Sequence, residues 1–333
     1  MAPPFLHRIN LHIALASQFL ILSSLYLLFN KRGAYHFFKW FFLLAFTLCT
    51  HIYLFIMVGG IWLVDLITRM PNLQLKILLK CTLKATFLIS GILVVAWILG
   101  YFQVDNLSLN GGGYGVIKLN LLSIFDSNGW SYFLPDIKTP PDFKEGFNYL
   151  GLGILLLMPF SMYSVARNRD VHQKILLQYK FFSIFLLLAT LASLTNFVSI
   201  GTLTFSYPMP EHIINLGNIF RATGRFFWPV YYVIVISIFF YSIFKGYSKN
   251  FALTLLAIAC VVQVADTKAG YQIIKTSMSF TRQDVLVTSP WHEIGSKYKN
   301  IVMVPIDEDL SIEHLHWSNV SLFLRPNIRW GLT

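Results

Sequence analysis

Long apolar runs separated by short polar clusters organise this chain. Stretches 11–29, 85–102, 150–166, 181–201 and 227–244 each approach the length of mostly apolar residues, about 20, that crosses a bilayer, and 251–264 is a shorter example. Each predicts a transmembrane helix. The first is no cleavable leader, because its apolar core is long and it runs into Asn30-Lys31-Arg32 where small residues would stand.

The stretch 36–69 needs separate treatment. As one helix its 34 residues would reach about 51 Å, well beyond a hydrocarbon core of about 30 Å. Two short spans meeting near Thr50-His51 fit instead. Eight spans and seven then differ in where the basic residues fall. With eight spans and an outward N-terminus, the inner loops collect thirteen basic residues against the single acid Asp170. The short outer segments hold six basic and six acidic residues, as expected when Lys and Arg stay on the cytoplasmic side. Seven spans would leave Lys31, Arg32 and Lys39 outside, so eight is preferred.

Composition agrees with a lipid solvent. Of 333 residues, 56% are hydrophobic and only 12% are charged, half the usual share for a soluble domain. The net charge of +11 would suggest a nucleic-acid partner in a soluble protein. Its concentration in the inner loops makes it an orientation signal, and no nucleic-acid partner is expected. Cys49, Cys81 and Cys260 have no C-x-x-C spacing and read as packing residues.

The predicted fold class is mainly α: a polytopic transmembrane helical bundle over 1–267 with outer loops 103–149 and 202–226, followed by a small, incomplete α/β extracytoplasmic tail over 268–333. That tail carries a Ser289-Pro290-Trp291 turn, an apolar run at 301–306, and His314-x-His316 beside Trp317. The histidine pair lacks a nearby third metal ligand and reads as a surface strand.

Candidate chemistry gathers in the outer loops under either topology. The Gly111-Gly112-Gly113-Tyr114-Gly115 run matches no phosphate-loop spacing and reads as a turn on the membrane surface. The acids Asp126, Asp136, Asp142 and Glu145 are either solvated or able to hold a metal or take a proton from a sugar hydroxyl. Glu145 is best placed, since Gly146 follows it and a span starts within about five residues. In the second loop Arg221 and Arg225 stand four apart, on one face of a helical turn, bracketed by Phe220, Phe226, Phe227 and Trp228. They read either as a bidentate phosphate clamp with aromatic support for a lipid tail, or as an interfacial Arg and Trp anchor. His51, at the hairpin tip, and His212 are candidates to line the same cavity. Within the spans, Asp65 is expected to pair with Arg69 one turn on, and Asp266 to reach water at the end of the last span.

Three phrases carry a family resemblance: Phe220-Arg-Ala-Thr-Gly-Arg-Phe-Phe-Trp-Pro-Val-Tyr-Tyr232, Glu145-Gly-Phe-Asn-Tyr-Leu-Gly-Leu-Gly153, and the opening Pro3-Pro4…Arg8…His12-x-Ala14-Leu15. Together they resemble an uncharacterised bacterial family of polytopic membrane proteins related to the GT-C superfamily of lipid-linked-sugar glycosyltransferases. The resemblance implies an inner-membrane protein whose partners are membrane lipid and a polyprenyl-phosphate sugar. It implies Arg221 and Arg225 against the donor phosphate and Glu145 in the same cavity; of the other loop acids Asp126 is taken as the second catalytic candidate, and no cofactor is expected, a divalent metal remaining open. GT-C enzymes keep their catalytic acid on a first outer loop that has no counterpart here. The chain is therefore expected to be truncated at both ends, which leaves its activity open. The alternatives are a transporter or flippase of lipid-linked intermediates, or a non-catalytic assembly subunit.

Overall fold

A computed structural model describes residues 2–30, 35–68, 75–102, 114–115, 117–137, 139, 146–220, 222–239 and 247–279. The chain divides into Met1–Ile274 and Lys275–Thr333, and nearly all of the second unit, with its turn, apolar run and histidine pair, lies outside the described residues. The described part is mainly helical, with one small two-stranded sheet.

The first apolar run is divided. Pro3 and Pro4 open helix α1 (Pro3–Leu11), where their missing N–H groups cost nothing. His12 ends it in an extended conformation, a 3-10 turn over Ile13–Ala16 follows, and α2 covers only Phe19–Phe29. The single helix expected over 11–29 is therefore replaced by an interrupted one, because the backbone turns at His12 and Ser17.

The long stretch breaks where its length required. Helices α3 (His36–Thr50) and α4 (Ile52–Thr68) meet at His51, which is extended. The Tyr53 N–H donates to His51 Nδ1 at 3.2 Å, so the imidazole caps the start of α4. At the far end His36 Nε2 lies 3.0 Å from Asp65 Oδ2, which makes the two helices an antiparallel pair. The ion pair expected between Asp65 and Arg69 is thus corrected: the partner comes from across the pair, and Arg69 lies outside the described residues. Trp40 Nε1 donates to His36 at 2.9 Å and completes this buried group.

Helix α5 (Leu75–Ile98) packs on α3, and the hydroxyl of Tyr101, just beyond it, donates to Leu48 O. Helix α6 (Leu152–Arg167) is followed by α7 (Arg169–Gln178), which turns by 87° into α8 (Lys180–Leu194). The span expected over 181–201 stops at Leu194, because Thr195 adopts a left-handed φ of 59° and the chain leaves as the antiparallel strands β1 (Phe197–Ile200) and β2 (Leu203–Ser206). Asn120 fastens this hairpin to the long loop: its side chain donates to Gly201 O at 2.8 Å and accepts from Gly201 N at 3.0 Å. After α9 (Glu211–Asn218), a 3-10 turn over Thr223–Phe227 leads into α10 (Trp228–Ser237), then α11 (Lys249–Asp266) and α12 (Lys268–Ser279).

Helix α11 packs along α6 and caps it with side chains. Gln263 Oε1 accepts from Gly153 N at 3.0 Å. Asp266 accepts from Leu152 N at 3.0 Å, from the Tyr149 hydroxyl at 2.8 Å, and from Ser131 Oγ. These bonds satisfy donors that the first turn of a helix leaves without partners. Asp266 is fully buried, which corrects the expectation that it reaches water: the loop before α6 folds over it.

Among the described residues two helical segments are long and apolar enough to cross a membrane, Cys81–Ile98 and Lys249–Thr276, and the bent pair His172–Gln178 with Lys180–Leu194 makes a third if it counts as one span. The remaining apolar helices among the described residues are shorter. The faces turned away from the core are themselves apolar: Phe42, Phe87, Leu188 and Val261 are all well exposed. In water such continuous exposed apolar surface would be an association hazard, whereas lipid accepts it.

Candidate functional site

The site is built on Tyr53, the second residue of α4. Its hydroxyl accepts the N–H of Ala222 at 2.8 Å and so ties α4 to the loop that precedes α10. Phe220 and Phe226 pack against its ring at centroid separations of 5.6 and 5.5 Å. The Arg225 guanidinium lies over the ring, 4.9 Å from its centroid, a cation–π arrangement that holds the charge at a fixed height. The His51 ring stands 5.5 Å from Tyr53.

Backbone contact fixes the Arg225 turn from the other side. Gly224 N and Thr223 Oγ1 both donate to Ile117 O at 3.3 Å. A Cβ on Gly224 would meet Gly146 Cα at 2.8 Å, and one on Gly146 would meet Lys118 O at 2.4 Å. Three loop segments therefore touch backbone to backbone, which glycine alone permits. Gly146 directly follows Glu145 and Gly224 directly precedes Arg225, so the backbone of the two outer loops meets at this junction. Lys118 is buried in this junction with its ammonium 5.0 Å from the Phe197 centroid, and burial pulls its pKa below the usual lysine value.

Positive charge converges on His51. Burial first, then the charges of Arg225, His12 and Arg8, pull the imidazole pKa down to about 4, so the ring is neutral near pH 7. Its Nδ1 accepts the Tyr53 N–H, which puts the single ring proton on Nε2. Arg8, from α1, is almost fully buried with its guanidinium 5.6 Å from the Trp228 ring centroid. Trp228 opens α10, and its buried indole N–H has no hydrogen-bond partner among the described residues. One turn on, Tyr232 donates to Gln18 Oε1 at 2.6 Å and joins α10 to the start of α2. The arrangement is a set of fixed cations and N–H donors over an aromatic floor, suited to a phosphate or another anion.

The expected site residues separate. Arg225, His51 and Trp228 belong to this cluster. Glu145 and Arg221 lie outside the described residues, as do Asp142 and the glycine triplet. Asp126 is half-buried and uses its carboxylate within its own loop, accepting from Asn128 N at 3.3 Å, Ile137 N at 3.1 Å and Thr139 Oγ1 at 3.5 Å. Burial outweighs those bonds and, with Asp136 adding to it, raises the Asp126 pKa. His212 is exposed on α9, a helix fastened through Gly217 and Asn218 to Tyr114. Tyr53 and Lys118 were missed. Tyr53 had one sequence cue, its place two residues after the candidate His51 at a helix start; Lys118 had none. Among the described residues no three His, Cys, Asp or Glu side chains are grouped to hold a metal ion.

A mainly helical protein with two helices able to cross a membrane and a cluster of cations over aromatic rings is the class these features define. Residues 1–268 match the profile of a domain of unknown function, DUF6311, and the chain belongs to that family. No curated protein and no solved structure matches it.

Proposed function

We propose that the protein is a multi-pass inner-membrane protein of GT-C-like glycosyltransferase type, acting on a polyprenyl-phosphate sugar at the extracytoplasmic face. The observation that carries this reading is the Arg225 guanidinium seated on Tyr53 beside His51, with the charges of His12 and Arg8 acting on the same imidazole. Fixed cations of this kind stabilise the negative charge that grows on a departing lipid phosphate, and electrostatic stabilisation is usually the largest contribution to such a reaction.

The orientation rests on charge. Lys39 near the start of α3, Lys84 in α5, Arg167 at the end of α6, Lys180 at the start of α8 and Lys249 at the start of α11 all sit toward the helix ends opposite the His51 cluster. With those ends cytoplasmic, the cluster faces outward. The exposed apolar helix faces are then lipid-facing.

In the proposed reaction the acceptor hydroxyl attacks the sugar anomeric carbon and loses its proton to a carboxylate, for which Glu145, next to Gly146, is the candidate. The bond between the anomeric carbon and the phosphate oxygen breaks, and polyprenyl phosphate leaves with the electron pair against Arg221 and Arg225. Sugar transfer from a polyprenyl-phosphate donor in membranes tests this. Arg225→Ala is expected to lower the rate by about a hundredfold or more, the usual loss when one stabilising donor is removed. Full activity after replacing both Arg221 and Arg225 by Ala would rule out the donor clamp. Translocation of the lipid without any sugar transfer would favour a carrier instead.

A further inference from the structure

Between α2 and α3 runs an open groove of about 780 Å³, within the roughly 300–1,000 Å³ of sites that hold a small ligand. Phe19 and Leu22 of α2 and Phe42 and Phe46 of α3 line it, and all four are exposed. Two residues with polar tips line its other end: Tyr26, three residues before α2 stops, and Lys39, three residues after α3 starts. Among the described residues Lys39 has no ion pair and the Tyr26 hydroxyl no hydrogen bond. A lysine near the end of a membrane helix lays its methylenes along apolar surface and carries its ammonium to the headgroup layer. The anion it meets there is a lipid phosphate. An ammonium and a hydroxyl at the head of an apolar trough match an amphiphile with an anionic head and a hydrocarbon tail.

We infer that this groove holds an anionic phospholipid of the cytoplasmic leaflet, its phosphate against Lys39 and Tyr26 and one acyl chain along the trough toward Phe46. The leaflet rests on the membrane orientation proposed above, whereas the chemistry of the groove does not depend on sugar transfer. Position separates this lipid from the proposed substrate. Lys39 stands twelve residues before His51, about 18 Å at 1.5 Å per residue, so the polar end of the groove lies at the opposite end of α3 from the Arg225 cluster. A polyprenyl phosphate seated here would have its head a helix length away from those cations. The cytoplasmic leaflet, by contrast, presents anionic phospholipid to a basic pocket between helices.

Head and tail can be separated by experiment. The full chain in detergent, stripped of lipid, is titrated with dioleoylphosphatidylglycerol, dioleoylphosphatidylcholine and undecaprenyl phosphate. Bound lipid is counted by native mass spectrometry, with thermal unfolding of each variant recorded alongside. The two phospholipids share their tails, so the difference between them reads the head alone. Phosphatidylglycerol is expected to bind about fivefold more tightly, the contribution of one lysine near an anionic lipid. Lys39→Gln is expected to erase that difference and leave phosphatidylcholine binding nearly unchanged. Ser23→Trp, which fills the trough, is expected to weaken both phospholipids about tenfold, as when two methylenes lose their burial. Leu22→Trp, from the same wall, takes its place if that variant does not fold. Equal affinity for the two phospholipids in the wild type, an unchanged preference in Lys39→Gln, or tighter binding of undecaprenyl phosphate would each overturn the assignment. Wild-type binding in a folded trough-filling variant would overturn the groove as the seat of the lipid. No sugar donor enters these titrations, so failure of sugar transfer and failure of this site are read separately. Reaction of Lys174→Cys with an impermeant maleimide on intact cells would overturn the leaflet alone.

Discussion

The Tyr53 hydroxyl accepts the backbone N–H of Ala222 at 2.8 Å, across 169 positions of sequence. That bond holds the loop bearing Arg225 against the start of α4, and the same tyrosine ring then carries the guanidinium. Removing the hydroxyl alone leaves a buried N–H without a partner. Tyr53→Phe is expected to cost about 1–3 kcal/mol, measured as a drop in unfolding temperature in detergent, and to weaken binding of a polyprenyl-phosphate sugar although the aromatic floor remains. Unchanged stability and binding would mean that the Arg225 loop is held by its other contacts.

The glycine junction should tolerate no added methyl group. Gly146→Ala sets a Cβ against Lys118 O, and Gly224→Ala sets one against Gly146 and Lys118. Each is expected to destabilise by about 1–3 kcal/mol, because close-packed backbone cannot move aside as a flexible side chain can. Thermal unfolding of the two single variants and the double variant checks this. As the residues touch, the double loss should be smaller than the sum.

Asp266 offers a test remote from the cluster. Asp266→Ala leaves Leu152 N and the Tyr149 hydroxyl without an acceptor in a buried place, each costing about 1–3 kcal/mol. Asp266→Asn keeps one oxygen and should lose roughly half as much. Comparing the expression level and unfolding temperature of the two variants tests whether the loop before α6 depends on this carboxyl.

The His51 shift has a definite sign. The folded ring titrates at about 4, whereas an unfolded histidine titrates near its ordinary value of 6.5. Between those values the unfolded chain binds the extra proton, so stability is flat above about pH 6.5 and falls as the pH is lowered toward 4. The unfolding temperature should follow that curve, and His51→Asn should flatten it. A wild-type curve unchanged from pH 7 to 4.5 would contradict the low folded value.

Orientation is tested by cysteine labelling. In a chain freed of Cys49, Cys81 and Cys260, Tyr132→Cys is expected to react with an impermeant maleimide added to intact cells. Lys174→Cys should react only after the cells are opened. The reverse pattern would put the Arg225 cluster on the cytoplasmic side and remove the basis for an extracytoplasmic lipid-sugar substrate.

Some of this was present in the local pattern of the chain. Most apolar runs do hold helices, though 11–29 and 181–201 hold shorter ones than expected, and the stretch read as too long for one crossing does break at His51. Arg225, His51 and Trp228 could be chosen as candidates because a guanidinium bracketed by aromatic residues, and an imidazole at a break between apolar helices, suit an anion and a lipid tail as well as they suit an anchor or a cap. Partner identity was another matter. His36, 29 positions away, takes Asp65 in place of the expected Arg69; Asp266 turns inward to cap α6; and Tyr53, marked only by its place two residues after His51, becomes the floor of the cluster. Spacing along one helix tells only which residues share a face. Which of them meets a hydrogen-bond donor from a segment a hundred or more positions away depends on how the helices pack, and packing alone brought α4, the Arg225 turn and the glycine junction together.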